Sequence, residues 1–196
     1  MRGSVLGRPL GLRYAARVAL TATIYNFEID LSDADRSRYD TIALRVARHP
    51  SESEEYLVSR VLAYCLEYAE GIEFSSGLSD PDAPTLAIRD LTGTIRVWIE
   101  IGSPDAARLH KASKATSRVV IYTHKDPGQL LKQFEGERIH RADAIEMYSF
   151  DRAMIAGLVA KLDRRMAMTV SVADRHVLIA FGDTVLEGDV TRHVLG

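Results

Sequence analysis

Glu100 is a carboxylate that interrupts an otherwise apolar segment of the sequence. It lies in residues 95–101, whose sequence IRVWIEI is rich in β-branched and aromatic types and predicts a buried strand. Burying a carboxylate costs free energy unless it is paired, hydrogen-bonded or bound to a cation. Glu100 is therefore a candidate catalytic or metal-binding residue, and the alternative is a strand-end glutamate that reaches solvent.

The residues after this strand predict a helix whose beginning faces Glu100. Ser103 is the predicted N-cap and Pro104 the first helical residue. Because the amide groups at a helix N-terminus attract anions, a phosphate group would be favoured beside Glu100.

A second helix, predicted to begin at Ser51, supplies further carboxylates. Glu54 completes a capping box with Ser51. At 100° per residue, Glu54 and Glu55 fall on the apolar face of this helix, whereas Glu52 points away from it. Capping explains Glu54, so Glu55 is the stronger candidate. The alternative for Glu55 is a buried ion pair with Arg60 or with an arginine of a strand.

A predicted hairpin brings one more segment to Glu100. If its turn is centred between Thr92 and Gly93, the cross-strand partner of Glu100 is Thr85. The nearest acidic residue upstream is Asp82. The hairpin therefore predicts that Thr85 lies opposite Glu100, with Asp82 three residues before Thr85.

The elements that would position these residues indicate an α/β fold with a mixed sheet. Strands are predicted at residues 19–31, 39–47, 84–91, 94–101, 119–122 and 144–149, with a closing β-region at 166–187. Helices are predicted at residues 51–69, 103–116, 127–135 and 151–164. We expect the β-rich ends, about 18–48 and 166–193, to pair into a lobe around a central α/β core at about 49–165.

Composition excludes several classes of protein. The chain has 196 residues, 46% of them hydrophobic, which suits one soluble domain. No segment of the sequence approaches the roughly 20 apolar residues of a membrane span, so no membrane association is expected. One cysteine, Cys65, excludes a disulfide framework, and the six histidines show no metal-ligand spacing. His49 is interpreted as a structural hydrogen-bonding residue and Cys65 as a core residue.

The charge is unevenly distributed along the chain. Residues 1–17 carry four arginines and no acid, whereas the other 179 residues carry 21 basic and 27 acidic side chains, a net charge of −6. We interpret residues 1–17 as a flexible extension of a single domain at 18–196, in a cytoplasmic protein. An acidic body disfavours coating of nucleic acid by bulk electrostatics.

Several runs of the sequence together resemble the bacterial YaeQ family. The most specific are the Arg-His-Pro-Ser-Glu run at 48–52, the Asp-Leu-Thr-Gly run at 90–93 and the Trp-Ile-Glu-Ile-Gly run at 98–102, with Asp35-Arg36 upstream. The resemblance covers about residues 18–196. It implies a restriction-endonuclease-like fold, an α/β roll related to the PD-(D/E)xK nucleases.

The resemblance also implies a site. In that superfamily a helix acid, an aspartate on the first hairpin strand and an acid-x-lysine on the second hairpin strand bind a Mg²⁺-type ion that activates water. The implied metal ligands in this chain are Glu55, Asp82 and Glu100, with Glu52, Glu54 and Thr85 as further candidates. Gly102 stands at the lysine position, and Lys111 is expected to supply the ammonium group instead.

Three functions remain open at this point. The first is a Mg²⁺- or Mn²⁺-dependent phosphodiesterase or nuclease, which uses Glu55, Asp82, Glu100 and Lys111. The second is a non-catalytic module that binds nucleic acid or a protein partner. A nucleic-acid groove would be lined by Arg45, Arg48, Arg89 and Arg96. The third is an enzyme that acts on a small phosphate ester in a closed pocket.

Overall fold

The computed structural model describes residues 22–75 and 83–195. Asp82 and the expected extension at 1–17 lie outside the described residues. The strands are β1 (Thr23–Asp33), β2 (Arg38–Arg48), β3 (Ile72–Phe74), β4 (Leu86–Arg89), β5 (Ile95–Ile101), β6 (Arg118–Thr123), β7 (Glu146–Phe150), β8 (Arg165–Ala173), β9 (His176–Phe181) and β10 (Thr184–Val194). The helices are α1 (Glu54–Leu66), α2 (Ala106–Ala115), α3 (Pro127–Phe134) and α4 (Arg152–Ala160), and a 3₁₀ turn spans Ala142–Ala144.

These ten strands form one mixed sheet in the order β2-β1-β8-β9-β10-β7-β6-β5-β4-β3. β1 runs parallel to β8, and β5, β6 and β7 run parallel to one another, whereas the other neighbouring pairs are antiparallel. The β-rich ends of the sequence therefore do pair, through β1 and β8. β10 pairs with β9 through residues 184–189 and with β7 through residues 190–194, and so joins these terminal strands to the central ones.

Both faces of the central strands are covered. In β5, Val97, Ile99 and Ile101 pack into a large core with α1 and α4, whereas Trp98 packs with α2 and α3 in a second, smaller core. Strands buried on both faces read as continuous apolar runs, which is the pattern that predicted β5 and β6. Glu100 shares the face of Trp98, because side chains alternate along a strand.

The beginning of α1 differs from the sequence prediction. Its N-cap is Ser53, whose side chain accepts a hydrogen bond from the amide of Tyr56, and not Ser51. The hydroxyl of Ser51 lies 2.6 Å from Nδ1 of His49, so it is already engaged in the turn between β2 and α1. Because the helix begins two residues later than predicted, Glu54 is not a capping-box partner and instead pairs with Arg48.

The beginning of α2 also differs. Its N-cap is Asp105, which accepts from the amide of Arg108 at 2.7 Å, and Ser103 is exposed. Asp105 places a carboxylate at the helix N-terminus, where the sequence predicted the neutral cap Ser103. The expected phosphate position at this helix is therefore occupied by a side chain of the protein itself.

Candidate functional site

Glu100 lies at the carboxyl end of β5, beside the carboxyl ends of its parallel neighbours and the N-terminus of α1. In open α/β sheets, ligands bind at this edge of the parallel strands. The hairpin register places Glu100 there as predicted: Leu86 pairs with Ile99 and Ala87 with Trp98, so Thr85 comes opposite Glu100. The hydroxyl of Thr85 donates to Oε2 of Glu100 at 3.1 Å.

Three donors satisfy the buried carboxylate of Glu100, whose side chain is 2% exposed. Oε1 accepts from the indole nitrogen of Trp98 at 2.5 Å and from Nε of Arg108 at 2.7 Å. Burial raises the pKa of Glu100, and the hydrogen bond from Trp98 and the charge of Arg108 act against that rise. Glu100 is thus neither a solvent-facing glutamate nor an unpaired one.

Arg108 is the cation of this centre, and the sequence analysis did not single it out. It lies in the first turn of α2, and its Nη2 also donates to the carbonyl of Ala83 at 2.6 Å. Arg108 therefore connects α2 to the segment before β4. When a helix follows a parallel strand, the residues of its first turn lie near the carboxyl end of that strand. The predicted succession of β5 and α2 could therefore have indicated that Arg108 lies near Glu100.

Tyr56 and His124 extend the centre towards α1. The hydroxyl of Tyr56 lies 3.3 Å from the hydroxyl of Thr85, and its ring meets the His124 ring edge-on at 6.5 Å between centroids. Gly102 has a positive φ of 84°, and a Cβ on it would contact Tyr56 at 3.5 Å. A lysine at this position would therefore be strained.

His124 is a buried histidine with both ring nitrogens unpartnered among the described residues. Burial and the neighbouring Lys125 lower its pKa to about 4, whereas Glu55 acts in the opposite direction. The imidazole is therefore neutral at pH 7 and retains an acceptor nitrogen. Its position directly after the apolar strand β6 was the signal that sequence reasoning could have used.

Glu55 is exposed rather than packed, which corrects the prediction from helical periodicity. It lies in the first turn of α1, where its own amide and the Ser53 hydroxyl lower its pKa. Glu52 is the buried acid instead: its Oε2 accepts from Arg60 at 2.9 Å and from the amide of His49 at 3.1 Å. The ion pair suggested for Glu55 and Arg60 therefore belongs to Glu52.

The other predicted site residues have these positions. Lys111 is exposed on α2, one turn after Arg108. Among the described residues, no group of three or more His, Cys, Asp and Glu side chains could hold a metal ion. Because Asp82 lies outside the described residues, the metal site of Glu55, Asp82 and Glu100 stays a prediction.

The arginines expected to line a nucleic-acid groove are largely paired with acids. Arg45 is exposed on β2. The others form ion pairs: Arg48 with Glu54 at 3.4 Å, Arg96 with Asp90 at 2.7 Å, and Arg89 with Glu73.

Residues of the sequence runs at 48–52 and 90–93 form hydrogen bonds that stabilise the turns around the Glu100 centre. His49, Ser51 and Glu52 hold the connection into α1. Asp90 accepts from the amides of Thr92 and Thr94 and fixes the hairpin turn.

The sequence model of the YaeQ protein family matches residues 18–190. The chain belongs to the YaeQ family. It is 31% identical over 175 residues to "Uncharacterized protein YaeQ" of Salmonella typhi, with 89% of this chain and 97% of the relative covered. The protein of the same name from Escherichia coli strain K12 is also 31% identical, over 176 residues, with the same coverage.

Solved structures of the YaeQ family have the same fold as this chain. The YaeQ protein of Xanthomonas axonopodis pv. citri superposes with a TM-score of 0.81 at 30% identity, covering 90% of this chain and all of that one. The YaeQ protein of Pseudomonas syringae gives a TM-score of 0.77 at 28% identity, covering 87% and 95%. No helix in the described part of this YaeQ-family chain has the length and apolar character needed to cross a membrane.

Proposed function

We propose that this YaeQ-family protein is a non-catalytic module on a restriction-endonuclease-like fold, which binds a partner rather than cleaving phosphodiesters. The order α1, β3, β4, β5, α2, β6 supports the relationship to that superfamily, since an acid-bearing helix precedes a hairpin. The observation that carries the proposal is the ion pair between Arg108 and Glu100. The guanidinium of Arg108 engages the carboxylate that the resemblance implies as a metal ligand.

The described residues do not fit Mg²⁺ or Mn²⁺. These hard cations require several oxygen ligands with free lone pairs. Both oxygens of Glu100 already accept hydrogen bonds, Thr85 offers a hydroxyl in place of a carboxylate, and the glycine at 102 supplies no lysine. A metal would have to displace Arg108 and leave its charge partly buried without a partner.

A protein partner is favoured over a nucleic acid. Phosphate binding requires unpaired cations along a groove. Arg48, Arg89 and Arg96 each have a carboxylate within ion-pair distance. The net charge of −6 on residues 18–196 also disfavours nucleic acid, because it repels phosphate groups.

The metal test uses titration calorimetry of the full chain with MgCl₂ and MnCl₂. We expect no binding by the wild type, and binding of Mn²⁺ by Thr85→Asp/Arg108→Gln, in which an acid is added and the competing cation removed. Thr85→Asn/Arg108→Gln is the matched control, with the same shapes and no added charge, and we expect it not to bind. Metal binding by the wild type that Glu100→Gln abolishes would overturn the proposal.

Activity is tested in parallel with labelled DNA, labelled RNA and a chromogenic phosphodiester, each with Mg²⁺ or Mn²⁺. We expect no turnover. Cleavage of a polynucleotide that Glu100→Gln abolishes would establish the nuclease instead, and turnover of the small ester alone would establish an enzyme acting on small phosphate esters.

The partner class is tested by fluorescence anisotropy of labelled single- and double-stranded oligonucleotides at 50 and 200 mM salt. We expect no salt-dependent binding by this protein. Affinity that falls steeply with salt would show that phosphates are being neutralised and would reassign the partner as a nucleic acid.

A further inference from the structure

A second site lies at the other end of α1 from Glu100. A cavity of about 410 Å³ opens beside the last turn of α1, a size that suits a small ligand. The turn after β1, the end of α1, the beginnings of β6 and β7 and the turn between β8 and β9 all contribute to its wall. The proposed function at Glu100 does not use this cavity.

Asp33 supplies an unsatisfied carboxylate oxygen to the cavity. Its side chain is 1% exposed, and Oδ1 accepts from the amide of Arg36 at 3.0 Å. Oδ2 has no hydrogen-bond partner among the described residues, and the nearest cationic nitrogen, Nη1 of Arg36, is 3.9 Å away. A buried carboxylate oxygen without a donor is costly, so this position favours a ligand that supplies one.

The arginines of the cavity are engaged by the protein. Arg118 bridges Glu67 and Glu146, with contacts of 2.7 and 2.8 Å. Burial acts to lower the pKa of Arg118, but its hydrogen bonds to Glu146 and Glu67 outweigh burial and raise it. Arg36 donates to the carbonyls of Leu66 and Tyr68 at the end of α1.

The remaining guanidinium, that of Arg175, lies 4.8 Å over the ring of Tyr148. The hydroxyls of Tyr122 and Tyr148 donate to Glu67 and Glu146 at 2.9 and 3.0 Å. These two hydroxyl groups thus donate to carboxylates that also line the cavity.

The charge around the cavity favours a cation. Four carboxylates, those of Asp33, Asp35, Glu67 and Glu146, face three guanidinium groups among the described lining residues. α1 also ends here, and the carbonyls of a helix C-terminus carry partial negative charge. No group of three or more His, Cys, Asp and Glu side chains in the described residues could hold a metal ion, so an organic cation is the ligand considered for this cavity. Apolar side chains of the wall, among them Leu66, Ile88 and Val190, suit an alkyl chain.

We propose that this cavity binds a primary alkylammonium group, with the ammonium on Asp33 and its alkyl chain along the apolar wall. Two sources share this chemistry, a free diamine and a lysine side chain of a partner protein. Oδ2 of Asp33 has almost no accessible surface, so the wall must open by a side-chain movement before the ammonium supplies the donor that this oxygen lacks. A charge-assisted hydrogen bond of this kind is stronger than a neutral one.

The test is titration calorimetry of the full chain with 1,4-diaminobutane and with a capped lysine peptide, using inorganic phosphate as the anionic control. We expect at least one amine to bind and phosphate not to bind. Binding of the diamine alone identifies a small-molecule site, and binding of the peptide identifies a side-chain site. Absence of binding by both amines, or binding of phosphate as well, would overturn the proposal.

Asp33→Asn tests the assigned carboxylate, with Asp183→Asn as a matched control on an exposed turn. We expect Asp33→Asn to weaken amine binding at least tenfold and the control to leave it unchanged. Equal weakening in both variants, or none in Asp33→Asn, would contradict the assignment.

A measurement on the wild type covers the case in which Asp33→Asn does not fold. Amine binding is expected to slow hydrogen exchange in residues 33–36 and 172–175, and unchanged exchange there would contradict the site. Glu55→Gln, at the opposite end of α1, is expected to bind amines as the wild type does, so a failure of this proposal is distinguishable from a failure at Glu100.

Discussion

At the scale of single residues, Arg108 determines what the Glu100 centre can do. It pairs with Glu100 and also donates to the carbonyl of Ala83, so it connects β5, α2 and the segment before β4. Losing it would leave a buried carboxylate with two neutral donors, Trp98 and Thr85. The ionised form of Glu100 is therefore stabilised by the guanidinium group of Arg108.

We predict that Arg108→Ala lowers the free energy of unfolding by about 2–4 kcal/mol, somewhat less than for a fully enclosed pair because Arg108 retains solvent contact. Urea denaturation at pH 7 measures the loss. Adding Glu100→Gln to Arg108→Ala is expected to recover part of the stability, since it removes the unpaired charge. A double variant as unstable as the sum of the two single variants would show that the pair does not interact.

His124 gives this protein a predictable response to acid. Its pKa is lowered from 6.5 to about 4, so folding favours the neutral ring. A group with a depressed pKa in the folded state contributes stability above its unfolded pKa, and that contribution is lost as pH falls towards the folded value. The loss should therefore develop between about pH 6.5 and pH 4.

We predict that His124→Phe flattens the pH dependence of stability in that range, by about 2–3 kcal/mol between pH 7 and pH 4. Chemical denaturation at half-unit pH steps measures the effect. A profile for His124→Phe that parallels the wild type would show that His124 is not the titrating group.

At the scale of the elements, the turn from α1 into β3 depends on Gly71. Its φ is +82°, and a Cβ there would lie 2.0 Å from the carbonyl oxygen of Arg89. Gly93, in the hairpin turn, has the same φ, but a Cβ on it would meet nothing within 4 Å. Comparing alanine variants at the two positions therefore distinguishes the cost of backbone strain from the cost of a steric clash.

We predict that Gly71→Ala destabilises the protein by more than about 3 kcal/mol, whereas Gly93→Ala costs about 1–2 kcal/mol, the strain of a left-handed residue alone. Thermal and urea unfolding of the two variants measure the difference. Equal losses would mean that the backbone around Arg89 moves to accommodate the methyl group.

The sequence predicted the hairpin register well and the start of α1 less well, for a physical reason. Thr85 does come opposite Glu100, but a register shift at Ile88 and Arg89 lies between this pairing and the turn, so the turn residues alone do not determine it. Ser51 and Ser53 are both acceptable caps, and the choice between them depends on His49, which engages Ser51. Because the helix begins at Glu54, Glu55 lies in its first turn, where it is exposed.

The cavity beside Asp33 shows what local patterns could not predict. Its wall combines residues from Asp33 to Val190, most of which contact one another only after the sheet forms. Asp35-Arg36 was recognisable as a motif, but its partners at the end of α1 and in the turn at 174–175 are far away in the sequence. The same applies to Arg118, which unites Glu67 and Glu146.

At the scale of the whole molecule, the continuity of the sheet predicts cooperative unfolding. β10 pairs with β9 through residues 184–189 and with β7 through residues 190–194, so one continuous strand joins the terminal strands to the centre. Trp98, the one tryptophan of the chain, reports on β5, and circular dichroism reports on all the strands.

We predict that tryptophan fluorescence and far-ultraviolet circular dichroism give the same midpoint and slope in urea. A β-lobe that unfolds independently would produce two transitions, with circular dichroism changing before or after the fluorescence of Trp98. Non-coincident curves would therefore show that the terminal strands unfold as a unit of their own.

The parallel contact between β1 and β8 has a consequence for biosynthesis. The strand that pairs with Thr23–Asp33 begins only at Arg165, about 130 residues later. At ribosomal rates of roughly 5–20 residues per second, the first hairpin, which is complete at Arg48, waits about 6–23 s until Arg165 is translated. During that interval one edge of β1 has no partner strand, so the nascent chain is most exposed to intermolecular association before its final third leaves the ribosome.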